Sequence, residues 1–338
     1  MQAHVQTLSR LLPEEEIQNL LSSNSIPANE TPLWKYWAEF VEWYLGKGRS
    51  KETVRRVRDS VRFFVRNTHI KTIETANDHI TLEKALDVVK KERHVSHVTL
   101  NTYAKSLGTY FAWLKYYRYI SENEVRQVTT WKGETNEQEI YSEEQVQLIK
   151  AQIHNRVQNK PLERYRNTVV VDFFAHFGIR PVELLHIKVS DVELVKGKYR
   201  VMIRGAKQKG RIRYYEMPNY IKDSFEIYLE HLKKIGRANE FLFISSSNNT
   251  RWTDKGMRGL FRNISKELGF TVTAYAFRRF VATKQYEIGV PLEKISKYLG
   301  HNRVKTTEHY IGRSVQLTQA GNEAMEQILQ CKVVSAKH

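Results

Sequence analysis

The second half of this chain carries the residue types that cleavage of a phosphodiester bond without a metal ion requires. That reaction needs a nucleophile, fixed cations for the negative charge that builds on the phosphate oxygens, and an acid for the leaving oxygen. Tyrosine, arginine, lysine and histidine can supply these groups. They recur in four segments, which in chain order are FGIRPVELLHIKVSD (177–191), GAKQKG (205–210), TAYAFRRFVAT (273–283) and YLGHNRVKTTEHY (298–310).

The chain that positions these groups has 338 residues, of which 41% are hydrophobic and 27% are charged. This composition suits roughly two globular domains, each with its own core. The formal net charge of +17 favours an extended polyanion as partner, with nucleic acid ahead of an acidic membrane.

The sequence lacks a membrane-spanning or signal segment and has almost no cysteine, which indicates where the protein acts and which kinds of site it can form. No apolar run approaches the ~20 residues that span a bilayer, and the N-terminus lacks a signal-peptide pattern, so we expect a cytoplasmic protein without a membrane partner. The only cysteine, Cys331, excludes an internal disulfide framework and a cysteine-rich zinc site. No metal site is predicted.

The first part of the chain predicts an N-terminal extension (1–30) followed by a helical domain (31–122). Apolar and aromatic residues recur at helical spacing over 33–45, a second helix follows the capping residue Ser50, and further helices are expected near 82–91 and 99–117. Aromatic residues at that spacing, Tyr116 among them, are expected to be core residues.

The second helix also carries a row of arginines beside its apolar face. At helical spacing this row is equally compatible with a solvated surface and with contacts to DNA phosphates. Its members are Arg55, Arg58, Arg62 and Arg66.

A polar stretch without periodicity predicts a linker (123–139), and a second domain (140–338) follows. Helical patterns dominate this domain, with helices expected over 279–288 and 292–299 and an amphipathic helix near 317–329. Two strands are expected at 198–204 and 211–217, and the turn 205–210 joins them into a strongly basic hairpin. The predicted fold class is therefore mainly α with a small β-sheet (α+β).

Three of the chemistry-bearing segments resemble the motifs of the tyrosine recombinase family, of the phage-integrase and Xer type. The segment around Arg180 is similar to the family's first arginine box, that around Arg278 to its second, and 298–310 to its terminal motif. Residues 33–119 likewise resemble the family's helical core-binding domain. The resemblance thus covers nearly the whole chain except its first thirty residues.

This resemblance implies a covalent mechanism. Tyr310 would attack the scissile phosphate and form a 3′-phosphotyrosine, while Arg180 and Arg278 would hold the nonbridging oxygens, which suit a planar guanidinium. His301 would donate a hydrogen bond to the same phosphate or assist proton transfer. Glu183 is expected to orient the first arginine box.

The family's catalytic lysine sits on the hairpin turn and protonates the leaving 5′-oxygen. This implies Lys207, with Lys209 as the rival; Lys209 and Arg211 are also expected to contact DNA. Tyr275 stands where the family usually has histidine, and a phenol with a pKa near ~10 is a poor general base at neutral pH. Its role in the site therefore stays open.

The resemblance further implies a C-shaped clamp around double-stranded DNA, with a dimer on each site and a tetrameric synapse joined through the C-terminal helix. The amphipathic pattern of that helix is equally compatible with packing on its own domain. No cofactor is expected, and accessory DNA-bending proteins are possible partners. Integration or excision of a mobile element is favoured over resolution of chromosome dimers. Two alternatives are a DNA-binding architectural or regulatory protein that has lost the chemistry, and a type IB topoisomerase.

Overall fold

The structure is a computed structural model that describes residues 26–27, 29–129, 131, 140–156, 160–205, 212–236, 239–301, 304 and 306–307. The chain divides into two compact units, residues 1–136 and 137–338. Within the described residues the protein is mostly helical with one small antiparallel sheet, which confirms the predicted fold class. The amphipathic helix predicted near 317–329 lies outside the described residues.

The first unit is built from helices, and all of its described α-helices except the first begin at a side-chain cap. They are α1 (Trp37–Gly46), α2 (Lys51–Asn67), α3 (Ile73–Asn77), α4 (His79–Arg93) and α5 (His97–Tyr116), followed by a 3₁₀ turn (Glu124–Gln127). The Ser50 hydroxyl accepts the main-chain N–H of Glu52 at 3.2 Å, as expected for the predicted cap of α2. The start of α4 and α5 is fixed in the same way by Asp78 and Ser96.

Aromatic side chains form the centre of the first unit. Phe40 lies edge-on to Tyr110 and Trp113, with ring centroids 5.3 and 5.7 Å away, and all three are buried. Such edge-to-face pairs each add about 1 kcal/mol beyond the burial of area. The prediction that Tyr116 is a core residue is wrong: it is 72% exposed, because it lies in the last turn of α5 beyond the apolar stripe.

The second unit contains α6 (Glu143–Arg156), α7 (Pro161–Phe177), α8 (Pro181–Leu185), α9 (Asn219–Lys234), α10 (Asp254–Leu268), α11 (Ala274–Glu287) and α12 (Leu292–Leu299). Helix α7 lies at the centre of this unit and packs against α6, α9 and α11. Its buried face includes Phe173, Phe174 and Phe177, none more than 1% exposed. This long apolar helix therefore fixes the other elements around it.

The sheet has the strand order β1 (Val192–Val195), β2 (Lys198–Arg204) and β3 (Ile212–Glu216), with both pairings antiparallel. Strands β2 and β3 were predicted, but β1 was not, because its side chains are largely exposed and show no alternation. Val201 opposes Tyr215 on the buried face of the sheet. The same register directs Arg213, two residues before Tyr215, toward that face.

Candidate active site

The C-terminal end of α12 organises the candidate site. Gly300 adopts a left-handed conformation (φ 65°), its N–H donates to the carbonyl of Lys297 at 3.1 Å, and the N–H of His301 donates to the carbonyl of Ser296 at 2.8 Å. These two bonds form a Schellman motif, which ends the helix and turns His301 back across its last turn. The carbonyls of Tyr298, Leu299 and Gly300 then point beyond the helix and need other donors.

Arg278 satisfies one of these carbonyls from a fully buried position. Its Nη2 donates to the Leu299 carbonyl at 2.5 Å and its Nη1 to the Gly178 carbonyl at 2.6 Å. Helix α11 begins at Ala274, earlier than the sequence indicated, because the Thr273 side chain caps it and accepts from the N–H of Ala276. Arg278 therefore lies in the second turn of a well-anchored helix.

Arg180 satisfies the next carbonyl from the start of α8. Its Nη1 and Nη2 both lie 3.3 Å from the carbonyl oxygen of Gly300. Glu183, whose side chain is fully buried, holds Arg180 in place: Oε1 accepts from Nη1 at 2.9 Å and Oε2 accepts the Arg180 main-chain N–H at 2.9 Å. The expected orienting contact of Glu183 is thus present in the geometry.

Arg213 on β3 supplies the third donor, and the sequence reading missed it. Its Nη1 donates to the Tyr298 carbonyl at 3.2 Å and to the Tyr215 hydroxyl at 2.9 Å, while Nη2 lies 2.7 Å from Oε2 of Glu183. The sequence did contain a signal that Arg213 is buried. Arg213, Tyr215 and Met217 stand at every second position and so share one face of the strand, and Tyr215 and Met217 are buried.

His301 is buried against these arginines, with 4% of its surface exposed, and its Nδ1 lies 2.8 Å from the hydroxyl of the buried Thr307. Burial, followed by the positive charges of Arg278, Arg180 and Arg213, lowers the pKa of His301 to about 3. The imidazole is therefore neutral at pH 7 and offers one N–H donor and one acceptor nitrogen.

Gly178 allows the end of α7 to approach α12. It has φ 57°, and a Cβ atom there would lie 2.8 Å from Cδ2 of Leu299 and 3.2 Å from Cβ of Val281. Only glycine combines that backbone conformation with so close an approach. The carbonyl of Gly178 is also the second acceptor for Arg278, so this turn fixes the position of the buried guanidinium.

The remaining predicted site residues are placed as follows. Tyr275 lies in the first turn of α11 and is 51% exposed, in contrast to the fully buried Arg278 one turn later. Lys207, Lys209, Arg211 and Tyr310 lie outside the described residues. The structure thus brings together Arg180, Arg278 and His301.

The arginine row belongs to the first unit and lies on α2. Arg55 and Arg66 are exposed, whereas Arg58 and Arg62 are partly buried. Asp59 pairs with Arg58 at 3.1 Å and with Arg55 at 3.8 Å, and Glu52 lies 3.6 Å from Arg55. Nearby carboxylates therefore offset part of the positive charge of this row.

One group in the described part of the chain has metal-ligand character. Ligand atoms of Asp78, His79 and Glu124 all lie within 4.8 Å of one another. The Asp78 carboxylate already accepts the N–H groups of Ile80 at 3.0 Å and Thr81 at 3.3 Å as the cap of α4. Helix capping accounts for the position of Asp78, and a direct contact of 3.1 Å joins Nδ1 of His79 to Oε2 of Glu124.

Residues 139–316, which contain the whole arrangement at the end of α12, match the sequence pattern of the phage integrase family. The chain belongs to that family. Sequence similarity extends to a curated member, the tyrosine recombinase XerC of Staphylococcus aureus (strain JH9), which is 25% identical over 221 residues, covering 64% of this chain and 71% of the relative.

Solved structures share the fold. A Tn1549 transposon integrase in complex with transposon right end DNA has a TM-score of 0.68 at 15% identity, covering 88% of this chain and 100% of the other. A XerH recombinase bound to its difH substrate has a TM-score of 0.61 at 14% identity, and the match covers 89% of this chain and 98% of the other. A lambda integrase dimer bound to a core site has a TM-score of 0.62 at 15% identity, and the match covers 92% of this chain and 84% of the other.

The match to the phage integrase family confirms the family resemblance that the sequence motifs predicted. Within the described residues, no helix combines the length and apolar character needed to cross a lipid bilayer.

Proposed function

We propose that this member of the phage integrase family is a site-specific DNA recombinase that cuts and rejoins strands through a covalent link to Tyr310. The observation that carries the proposal is the convergence of Arg180, Arg278 and His301 on the end of α12. Phosphate chemistry needs such fixed donors, because they stabilise developing charge without reorganising during the reaction.

In the proposed reaction the Tyr310 hydroxyl attacks the scissile phosphorus and releases its proton to water. The bond from phosphorus to the 5′-oxygen breaks, and the leaving oxygen takes a proton from Lys207 or its rival Lys209. A 5′-hydroxyl of another strand then attacks the phosphotyrosine and gives its proton to that lysine, while the bond from phosphorus to the Tyr310 oxygen breaks and the phenol regains a proton from water. One phosphate ester replaces another at each step, so the exchange needs neither ATP nor a divalent metal.

The two arginines have different access to the phosphate. The Arg180 side chain is 24% exposed, so it can reach a nonbridging oxygen directly. Arg278 is fully buried and already donates to two carbonyls, so its contact with phosphate requires neighbouring side chains to shift when DNA binds. The neutral His301 would contribute a hydrogen bond rather than a charge. Tyr275, exposed in the first turn of α11 three residues before Arg278, is proposed as a further phosphate donor.

For the biological role we favour integration or excision of a mobile element, with the two units closing around double-stranded DNA. The net charge of +17 supports a DNA partner. Solved structures of the same fold include a transposon integrase and a dimer on a core site, both bound to DNA. A dimer on each site and a tetrameric synapse through the C-terminal helix complete the proposal.

The test is a trapped adduct. Duplexes selected for binding from a random library are rebuilt with a nick near each candidate cleavage position, so that the released short strand diffuses away. Wild type should then form a protein–DNA adduct that resists denaturant, and mass spectrometry should place the DNA on Tyr310. Tyr310→Phe should form none, and the control Tyr214→Phe, at an exposed tyrosine of β3, should match wild type.

Two results would contradict the proposal. DNA binding with no adduct from wild type on any nicked duplex would favour an architectural protein. Relaxation of a plasmid that lacks every selected sequence would favour a type IB topoisomerase.

A further inference from the structure

Glu183 serves two guanidinium groups at once. Its carboxylate is fully buried and lies 2.9 Å from Nη1 of Arg180 and 2.7 Å from Nη2 of Arg213. Burial raises the pKa of Glu183, but the charge of Arg213, the Arg180 N–H and the charge of Arg180 outweigh it and lower the pKa below its ordinary value. The carboxylate is therefore ionised, and one negative charge is shared between two positive ones.

The position of Arg213 is closely fitted. A Cβ atom on Gly300 would lie 2.8 Å from Cζ and 2.9 Å from Nη1 of Arg213, so only glycine leaves room for the guanidinium. The Arg213 side chain is 12% exposed, and its guanidinium also donates a hydrogen bond to the Tyr298 carbonyl. It thus joins the sheet, the start of α8 and the end of α12.

We propose that Arg213 is a positioning residue that keeps the positive charge of Arg180 available to the scissile phosphate. With Arg213 present, the group of Arg180, Glu183 and Arg213 carries a net charge of +1. Without it, Arg180 and Glu183 become a neutral ion pair, and Arg180 attracts an anion less strongly. This inference rests on the proposed recombinase function.

If Arg213 had only a structural role, the single and double substitutions would have different effects from those expected for charge sharing. If Arg213 acted only by holding β3 to α12, removing Glu183 as well would worsen the defect, because a second buried contact would be lost. If Arg213 acts by sharing Glu183, Glu183→Gln should restore the free charge of Arg180 in the absence of Arg213. The double variant therefore separates the two explanations.

The experiment measures the rate of adduct formation at saturating nicked DNA for Arg213→Met, Arg213→Lys and the double variant R213M/E183Q. We expect Arg213→Met to be slower by about tenfold or more, Arg213→Lys to stay within about threefold of wild type, and the double variant to recover most of the loss. Arg200→Met is the matched control, since Arg200 lies on β2 of the same sheet and pairs with the exposed Glu193 at 2.9 Å. It should match wild type.

A second readout does not depend on cleavage. Binding of inorganic phosphate, followed by the NMR signal of labelled His301, should weaken in Arg213→Met and recover in the double variant. If wild type forms no adduct, the proposed function fails, and this titration still decides the role of Arg213. A double variant that is folded but as slow as Arg213→Met and binds phosphate no better would overturn the inference.

Folding is checked for each variant by urea denaturation. If Arg213→Met does not fold, Arg213→Lys decides: a folded lysine variant that keeps most of the rate supports charge sharing, and one that loses it overturns the inference.

Discussion

The Nη2 atom of Arg278 lies 2.5 Å from the carbonyl oxygen of Leu299, and no part of the Arg278 side chain reaches solvent. A cation at the C-terminal end of a helix is favoured by the helix dipole, and here the effect operates in a buried site where water screens little. Arg278 is therefore both a candidate phosphate ligand and a structural connection between α11, α12 and the turn at Gly178.

Arg278→Ala should accordingly destabilise the fold as well as abolish activity. The substitution leaves a cavity and removes the donors of two buried carbonyls, so we expect a loss of roughly 3–5 kcal/mol in the free energy of unfolding. Urea denaturation measures this. The control is Arg258→Ala, since Arg258 is 77% exposed and pairs with Asp254 on the surface of α10; it should change stability by less than about 0.5 kcal/mol. Equal effects of the two substitutions would contradict the buried role.

His301 should make stability depend on pH in a defined window. Its pKa is about 3 in the folded chain, below the ordinary 6.5, so the unfolded chain binds the proton first as pH falls. The stability that the neutral form contributes is complete above about pH 6.5 and is lost progressively toward pH 3. Between pH 7 and pH 5 wild type should lose roughly 1–2 kcal/mol more than His301→Gln. The comparison uses urea denaturation at both pH values; identical losses would show that His301 titrates normally.

Gly178→Ala should cost more than the same change at a glycine in open space. Both Gly178 and Gly269 have positive φ, 57° and 75°, but a Cβ at Gly269 meets nothing within 4 Å, whereas at Gly178 it meets Leu299 and Val281. We expect the free energy of unfolding to fall by about 1 kcal/mol for Gly269→Ala and by about 2–4 kcal/mol for Gly178→Ala. Thermal unfolding of the two variants tests this, and a Gly178→Ala protein no less stable than Gly269→Ala would refute the close packing.

Tyr141→Phe should loosen the start of α11. The buried Tyr141 hydroxyl donates to the Thr271 carbonyl at 3.0 Å and accepts the N–H of Thr273, the capping residue, at 2.9 Å. Losing both bonds should cost about 1–3 kcal/mol. Hydrogen exchange should quicken at the N–H of Thr273 and over the first turn of α11, and unchanged exchange there would contradict this anchoring role. The control is Tyr214→Phe at an exposed position.

Local signals explain which elements the sequence predicted well. Helix α12 was predicted with its observed bounds, because its apolar spacing is regular and Gly300 ends it. The cap at Ser50 and the strand 198–204 were equally clear. Strand β1 was missed because it is short and its exposed side chains reflect pairing with β2 rather than a hydrophobic pattern.

The candidate site was only partly readable for a different reason. Arg180, Arg278 and His301 stand in recognisable motifs, but their convergence is a tertiary property. Arg213 was not singled out in the sequence, although its alternation with Tyr215 placed it on the buried face. Nothing in the linear sequence indicates that Glu183 is shared between two arginines, since that depends on how β3 packs against α8.

The last turn of α12 has a consequence for how the chain tolerates changes of length. The carbonyls of Tyr298, Leu299 and Gly300 are consecutive, and each accepts from an arginine on a different element. Inserting or deleting one residue here would rotate all three acceptors by about 100° around the helix axis and misalign every arginine together. In contrast, Ser247 and Asn248 are exposed and take no part in these contacts, so the chain should accept an added residue between them with little effect.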